Sequence, residues 1–357
     1  MSTSDSRVAQ APEEGRTTAW SARVRRIFET SGMFPALVLL IVFGYILSPT
    51  FLTTINISNV VRLGAVLGLI TLGQALVIIS GGGGIDLSVG SVMAAAGIIG
   101  AMFQGYGLGA VILGTIAGGA FFGVMNGLGV TTAGLQPFIT TLATRSIAVG
   151  VAFQLTAAQP VILDTPGLSY LSEGTIWSIP VPIVILVVAL IVGQFAMSRT
   201  IFGRNLYAVG GNEDAAFASG VSVKRYRFGV YVISGLLAGL AAVLGIAQLN
   251  TADPNFGNGY ELQAIAAAVV GGAALSGGRG TIVGIAVGIA IMALLGNLLN
   301  LLNVNPALQA IATGLIVIIA VALNRQGEGS DDKRVMKGLP LYAALGVGAV
   351  LLILMSK

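Results

Sequence analysis

The chain contains no cysteine and no histidine among its 357 residues, and charged residues make up only 9%. Without cysteine there is no disulfide, no thiolate metal site and no cysteine nucleophile. Without histidine, imidazole catalysis and a charge switch near neutral pH are excluded. A zinc site would have to be built of carboxylates alone. A soluble chain carries about 25% charged residues, so this one cannot cover a water-facing surface, and lipid must be part of its solvent. Aromatic residues are also sparse, at 7%. Hydrophobic residues make up 55%, and the mean hydropathy is +0.92. The 51 glycines suit close helix packing in a bilayer. Lys and Arg outnumber Asp and Glu by 18 to 14. In a membrane protein that surplus reports orientation before it reports nucleic-acid binding, so no nucleic-acid partner is expected.

Apolar runs of about 20 residues mark helices that cross the hydrocarbon core. Ten form a main body, at residues 33–52, 60–80, 88–104, 108–130, 137–156, 179–197, 228–249, 261–275, 281–301 and 306–323. The expectation is an all-α polytopic membrane protein of about ten transmembrane helices, with an eleventh at 339–355. The chain divides into a cytoplasmic N-terminal tail (1–32), a transmembrane body (33–325), a cytoplasmic linker (326–338) and an extra C-terminal helix (339–357). The tail is polar and holds Arg7, Arg16, Arg23, Arg25 and Arg26, unlike the apolar core of a signal peptide. With the tail inside, the inner segments hold most of the basic residues, notably Arg199, Arg204, Lys224, Arg225, Arg227 and Arg279. The outer loops at 157–178 and 250–260 hold none. This is the positive-inside pattern, with the N-terminus cytoplasmic.

Two pairs of helix starts resemble each other. Gly84-Ile85-Asp86-Leu87 opens the third span and Gly259-Tyr260-Glu261-Leu262 the eighth. Pro137 opens the fifth and Pro306 the tenth. Five spans separate the members of each pair, and an odd number inverts a unit. Spans 3–5 and 8–10 therefore read as inverted repeats, a common transporter plan. Asp86 and Glu261 lie in first turns, where a carboxylate can accept from unpaired backbone N–H groups. They either cap these helices or also shape the pathway and its gates, since ionisable groups at membrane depth are often functional. The pathway and gate candidates are Asp86, Ser88, Asn126, Pro137, Thr140, Thr141, Glu261 and Asn297. For Asn126, Thr140, Thr141 and Asn297, bonding between helices is an equal alternative.

The run Ser80-Gly-Gly-Gly-Gly-Ile-Asp-Leu-Ser-Val-Gly90 permits backbone conformations that other residues avoid. No GxxxxGK[ST] occurs, and none of the four lysines follows a glycine, so the chain has no P-loop for ATP. The segment from Gly203 to Arg225 is the longest polar stretch between spans of the body. In it Asn212 can cap a helix beginning at Glu213, and Gly220 can end it. A short surface helix there would make a docking knob.

These residues together resemble the membrane permease subunit of bacterial sugar ABC importers, the ribose/xylose/arabinose/galactofuranose-type permeases. The resemblance rests on Gly84-Ile-Asp-Leu-Ser-Val-Gly-Ser91, Gln136-Pro-Phe-Ile-Thr-Thr-Leu142, Gly203-Arg-Asn-Leu-Tyr-Ala-Val-Gly-Gly-Asn-Glu213, Gly220-Val221, Tyr260-Glu-Leu-Gln-Ala-Ile-Ala-Ala267 and Val270-Gly-Gly-Ala-Ala-Leu-Ser-Gly-Gly-Arg-Gly280. It implies a non-enzymatic transport subunit in the bacterial inner membrane. A second permease copy or a paralogue would complete the channel, and an extracytoplasmic binding protein would deliver a monosaccharide. ATP and Mg would be bound by a separate ATPase subunit and no cofactor by this chain. The ATPase-coupling loop would be carried by Gly203, Arg204, Asn205, Gly210, Gly211, Asn212, Glu213 and Gly220. This chain departs from the family in three ways: it has four glycines after Ser80, it has Arg145 where the family often has arginine four residues later, and its tail extends beyond Arg325. A secondary transporter or channel working alone is the competing class, and a nucleoside, amino acid or furanoside is the competing cargo.

Overall fold

The computed structural model describes residues 33–326. The described chain is mostly helical, and six helices are long and apolar enough to cross a bilayer. These are α2 (Thr54–Ile79), α4 (Leu108–Thr131), α5 (Pro137–Thr156), α7 (Val181–Arg199), α10 (Val223–Leu249) and α12 (Ile282–Leu301). Four more are apolar but shorter or less uniform: α1 (Met33–Leu47), α3 (Val89–Ala101), α11 (Tyr260–Val270) and α13 (Pro306–Gln326). Three small helices complete the set: α6 (Tyr170–Glu173), α8 (Ile201–Gly211) and α9 (Glu213–Ala218). The tail, the linker beyond Gln326 and the eleventh span expected from the sequence lie outside the described residues.

The fold is not purely helical. β1 (Val161–Ile162) pairs antiparallel with β4 (Thr251–Ala252), and β2 (Thr175–Ile176) with β3 (Ile179–Pro180). These two-residue ladders satisfy backbone groups in the long connections at one end of the bundle. The opposite end is basic. Of the nine Lys and Arg residues between 33 and 326, seven belong to it: Arg199, Arg204, Lys224, Arg225, Arg227, Arg279 and Arg325.

Helix α2 is the axis of the bundle, and every residue from Gly64 to Ile79 is buried. A helix apolar on all sides has no reason to face water and sits at the centre. Around it pack α7, α10, α11 and α12. By contrast Val188, Ile191, Val192 and Phe195 on α7 are exposed, as expected of a face turned to lipid.

The most extensive helix pair is α4 against α10, antiparallel and built on small residues. Gly119, Gly123 and Gly127, spaced four apart, meet the stretch from Phe228 to Gly239. A Cβ on Gly119 would press into the carbonyl of Gly235 and lie 2.7 Å from the backbone N of Gly239. This is small-residue packing, in which glycine lets two backbones approach closely. The apolar pattern located these helices, but their ends differ from the expected bounds. α2 begins at Thr54, six residues early, where the Thr53 side chain caps it. α10 begins at Val223 because its basic first turn remains helical beyond the apolar stretch. α11 stops at Val270, where Gly271 and Gly272 take over.

The crossing can be tested. Gly235→Leu should destabilise the purified chain by about 1–3 kcal/mol, the usual cost of overpacking, read as a lower thermal midpoint. Gly229→Ala, where an added Cβ meets open space, should leave the midpoint unchanged or raise it. Equal midpoints would show a loose crossing.

Candidate functional site

After α2 the chain turns back inside the bundle. Gly81, Gly82 and Gly83 take φ of 70°, 63° and 70°, the left-handed region that favours glycine. A Cβ on Gly81 would lie 2.8 Å from both Cα and O of Gly210. Helix α3 begins only at Val89, deep within the protein. Depth is marked by Ser234, the twelfth residue of the 27-residue α10, about 16 Å along a helix of about 40 Å. Its hydroxyl donates to Oδ2 of Asp86 at 3.0 Å.

Asp86 is 2% exposed. Its Oδ1 accepts from the backbone N of Ser88 at 3.0 Å, the Ser88 hydroxyl at 2.6 Å and Nδ2 of Asn126 at 3.4 Å. Asn126 also donates to Oγ of Ser88 at 2.8 Å. The Thr141 hydroxyl reaches the Ile85 carbonyl at 3.3 Å. With its amide oriented to satisfy both groups, Gln74 donates to the Asp86 carbonyl at 2.9 Å and accepts from the Asp86 N–H at 3.2 Å. A buried carboxylate is tolerated only when donors surround it, and here α4, α10 and the α3 entry supply them to the side chain while α2 holds its backbone.

Helix α11 begins at comparable depth but runs the other way. Its N-terminal loop meets the start of α3: a Cβ on Gly257 would lie 3.1 Å from the backbone carbon of Gly90. Its far end packs on the start of α12, where a Cβ on Gly271 would lie 2.7 Å from Cα of Ile285. Glu261, the second residue of α11, is 6% exposed. Its Oε1 pairs with Nη2 of Arg145 at 3.3 Å. Its Oε2 has no hydrogen-bond partner among the described residues and faces Gly90, where an added Cβ would lie 2.7 Å away.

The sequence-derived pathway set thus divides. Asp86, Ser88, Asn126 and Thr141 form one network. Pro137 opens α5 one turn below Thr141, and the Thr140 hydroxyl donates to the Gln136 carbonyl at 3.1 Å. Glu261 is held apart by Arg145. Asn297 sits elsewhere, in a reciprocal carboxamide pair with Asn56 at 2.9 and 2.8 Å. Gln74, Ser234 and Arg145 join the two acids, and Asn56 holds Asn297, through contacts that no local sequence pattern marks.

The polar segment after α7 is more ordered than its glycines suggested. Residues 201–211 form α8, so Gly203 and Gly210 are helical and not turns. Each is a glycine because a backbone lies against it, Met197 for Gly203 and Ile79 for Gly210. Asn205 on α8 donates to the Tyr226 hydroxyl at 2.6 Å. Asn212 caps α9 by accepting from the Ala215 N–H at 2.9 Å, and Gly220 follows it at φ 82°. Arg204 is exposed. Glu213 pairs with Arg227 at 2.7 Å, and the Arg227 guanidinium lies against Gly82. Phe217 on α9 is 74% exposed and had not been singled out.

The Arg145–Glu261 pair makes a stability prediction. Removing one partner of a buried pair leaves an uncompensated charge and costs about 3–5 kcal/mol. Arg145 is partly exposed, so Arg145→Met should fall at or below the lower end of that range. The double variant Arg145→Met/Glu261→Gln should be more stable than Arg145→Met alone in a thermal melt. A double variant that melts lower would show that the two side chains are not coupled.

Residues 56–321 match the family described as branched-chain amino acid transport system / permease component. The chain is 41% identical over 305 residues to the ribose import permease protein of Bacillus subtilis (strain 168), covering 84% of this chain and 94% of that one. It is 37% identical to the D-allose transport system permease protein of Escherichia coli (strain K12), covering 81% and 89%. It is 33% identical to the L-arabinose transport system permease protein of the same strain, covering 84% and 92%. No solved structure matches it significantly. With its family match spanning most of the described helices, the chain belongs to this permease family and is a multi-pass transport component of the inner membrane, not an enzyme.

Proposed function

We propose that the chain is the translocating subunit of an ATP-driven importer of a monosaccharide. The relatives at 33–41% identity are named for ribose, allose and arabinose, whereas the family description names branched-chain amino acids. The observation that carries the choice is the occupancy of the two buried helix starts. In transporters with discontinuous helices, half-helix N-termini often point at a substrate's anionic group. Here the α3 start holds Asp86 and the α11 start holds Glu261. An amino-acid carboxylate would meet like charge at both, while a neutral polyol would not.

The same observation disfavours a solitary secondary transporter. Asp86 is held by four hydrogen bonds and Glu261 by an ion pair. A proton relay needs a carboxylate free to change partners. Energy would come instead from a separate ATPase, with ATP and Mg bound there, docking on α8 and α9 at the basic end. That end is then cytoplasmic by the positive-inside rule, and so is the N-terminus. A binding protein would deliver the sugar to the other end, and a second permease copy or a paralogue would complete the channel. We also infer ten spans with 3–5 and 8–10 as inverted repeats. The opposed directions of α3 and α11 support this, and so do Asn126 and Asn297, whose spacing of 171 lies between those of the two helix-start pairs. Movement of the docked ATPase would reach the centre through Glu213, Arg227 and Gly82.

Two measurements test this reading. Vesicles holding the chain, its ATPase and its binding protein should accumulate D-ribose, D-allose or L-arabinose only with internal ATP. ATP-independent accumulation would favour the secondary-transporter class. In the docking unit, Phe217→Ala should weaken ATPase binding about tenfold or more, the size of a buried aromatic anchor. Glu213→Lys should lower uptake while leaving membrane insertion intact. Normal uptake by both variants would remove α9 from the coupling role.

A further inference from the structure

Helices α2, α11, α12 and α13 line a partly open cavity of about 460 Å³ that extends from mid-depth towards the end opposite the basic one. On α12 it runs from Met292 to Asn300, about 12 Å at 1.5 Å per residue. Its volume falls within the usual range for small-molecule sites, about 300–1,000 Å³. None of its lining residues is charged. Polar groups nevertheless reach it from three helices: Tyr260 and Gln263 on α11, Asn297 and Asn300 on α12, Gln309 and Thr313 on α13.

Most of these groups are already engaged. Asn297 bonds to Asn56, Asn300 accepts from Gln309 at 2.8 Å, and Thr313 donates to the Gln309 carbonyl at 3.0 Å. The Gln263 side chain is half-buried and makes no hydrogen bond among the described residues. It offers a carbonyl acceptor and two N–H donors on one group, the combination a hydroxyl needs. Tyr260 is beside it with an apolar ring face and a hydroxyl. Across the cavity, Gly296 leaves open space where a Cβ would be.

We propose that this cavity is a monosaccharide subsite within the permease chain, with the Gln263 carboxamide as its principal hydroxyl contact. An uncharged wall with two unpartnered carboxamides, Gln263 and the exposed Asn258 of the loop before α11, suits a neutral polyol. It offers no counter-charge to a zwitterion and no acid to a cation. The engaged carboxamides around it are fixed in orientation, so binding orders little besides the sugar and Gln263. So few free polar side chains give a weak site, as a way-station requires. The proposal rests on the sugar-importer reading above and adds where in the chain the sugar pauses.

The absence of cysteine makes the test clean. The variant Ala312→Cys, on the cavity lining so that Gln263 is kept, in the otherwise native full-length chain assembled with its ATPase in vesicles, would be labelled with a small polar maleimide. Labelling is timed with and without D-ribose, D-allose, L-arabinose or L-leucine up to about 100 mM. A sugar at about ten times its dissociation constant should slow labelling about tenfold by mass action, and L-leucine should not. Gly296→Phe, whose Cβ meets open space beside the cavity, should abolish ATP-driven uptake in protein that still inserts and assembles, whereas Gly296→Ala should retain it. Labelling unaffected by every sugar, or an introduced thiol that never reacts, would overturn the subsite if the wild-type complex still imports sugar. Normal uptake by Gly296→Phe would do the same. A wild-type complex that imports none of the sugars, or protection by L-leucine alone, would overturn the importer reading together with the subsite.

Discussion

The architecture depends on a carboxylate buried in an apolar bundle. Asp86 lies at mid-depth in an apolar bundle, and its cost is offset only because four donors from three segments converge on it. Hydrogen bonds in such surroundings are electrostatically stronger than in water, and missing ones are correspondingly costly. The network therefore fixes positions. α4 must bring Asn126 and α10 must bring Ser234 to the same point, and the chain between α2 and α3 must stay non-helical long enough to reach it. The glycine-mediated approach of α4 to α10 is the packing side of the same requirement. Side chains larger than glycine at Gly119 or Gly235 would separate the two helices that hold Asp86 between them.

Non-helical backbone at this depth has to be enclosed by protein. The segment 80–88 is enclosed at its start by a meeting of backbones: Gly81 against Gly210, and the N–H of Gly278 bonded to the Ile79 carbonyl at 2.9 Å. Three distant stretches of sequence share this contact, and each contributes glycine. The four-glycine run is thus more than a turn that needs freedom. At Gly81 it also needs the absence of a side chain, because α8 occupies the space where a Cβ would be, and at Gly82 the Arg227 guanidinium does. The same close fit explains why Gly203 and Gly210 occur inside a helix despite their poor propensity.

Local features could be read from the sequence. The apolar runs located the helices, Asn212 and Gly220 bounded α9, and Glu261 lies in the first turn of α11 as expected; Asp86 does not lie in a first turn, because α3 begins only at Val89 and Asp86 accepts from the N–H of Ser88 ahead of it. Gln74, Ser234, Asn56 and the partner of Arg145 could not be. Their bonds join residues separated by 12, 148, 241 and 116 positions. Such contacts depend on how helices cross, and nothing in the neighbouring residues encodes that. Hydroxyl and amide residues in a membrane helix look alike whether they line a path or bond to a neighbour. Only the structure separates Asn126, engaged with Ser88 and Asp86, from Gln263, whose side chain bonds to none of the described residues. Helix ends were misplaced where polar first turns continued a helix beyond its apolar stretch, as at Val223.

On the importer reading, the two buried acids also bear on what the interior can accept. Each is set at the start of a half-helix, where a dipole end would otherwise attract an anion. Each is compensated differently, Asp86 by neutral donors and Glu261 by Arg145. The second arrangement ties α5 to α11 across α3, so the two half-helix units are not independent. Arg227 makes a comparable link at the basic end, holding Glu213 of α9 on one side while lying against Gly82 on the other. On the importer reading, a displacement of α9 would bear on the glycine turn that leads into Asp86, and through the contact of Gly90 with Gly257 it would reach α11. That helix presents Glu261 to Arg145 and its neighbours Tyr260 and Gln263 to the cavity. On the importer reading, the docking unit and the cavity are two ends of one chain of contacts whose middle is the meeting of the two half-helices.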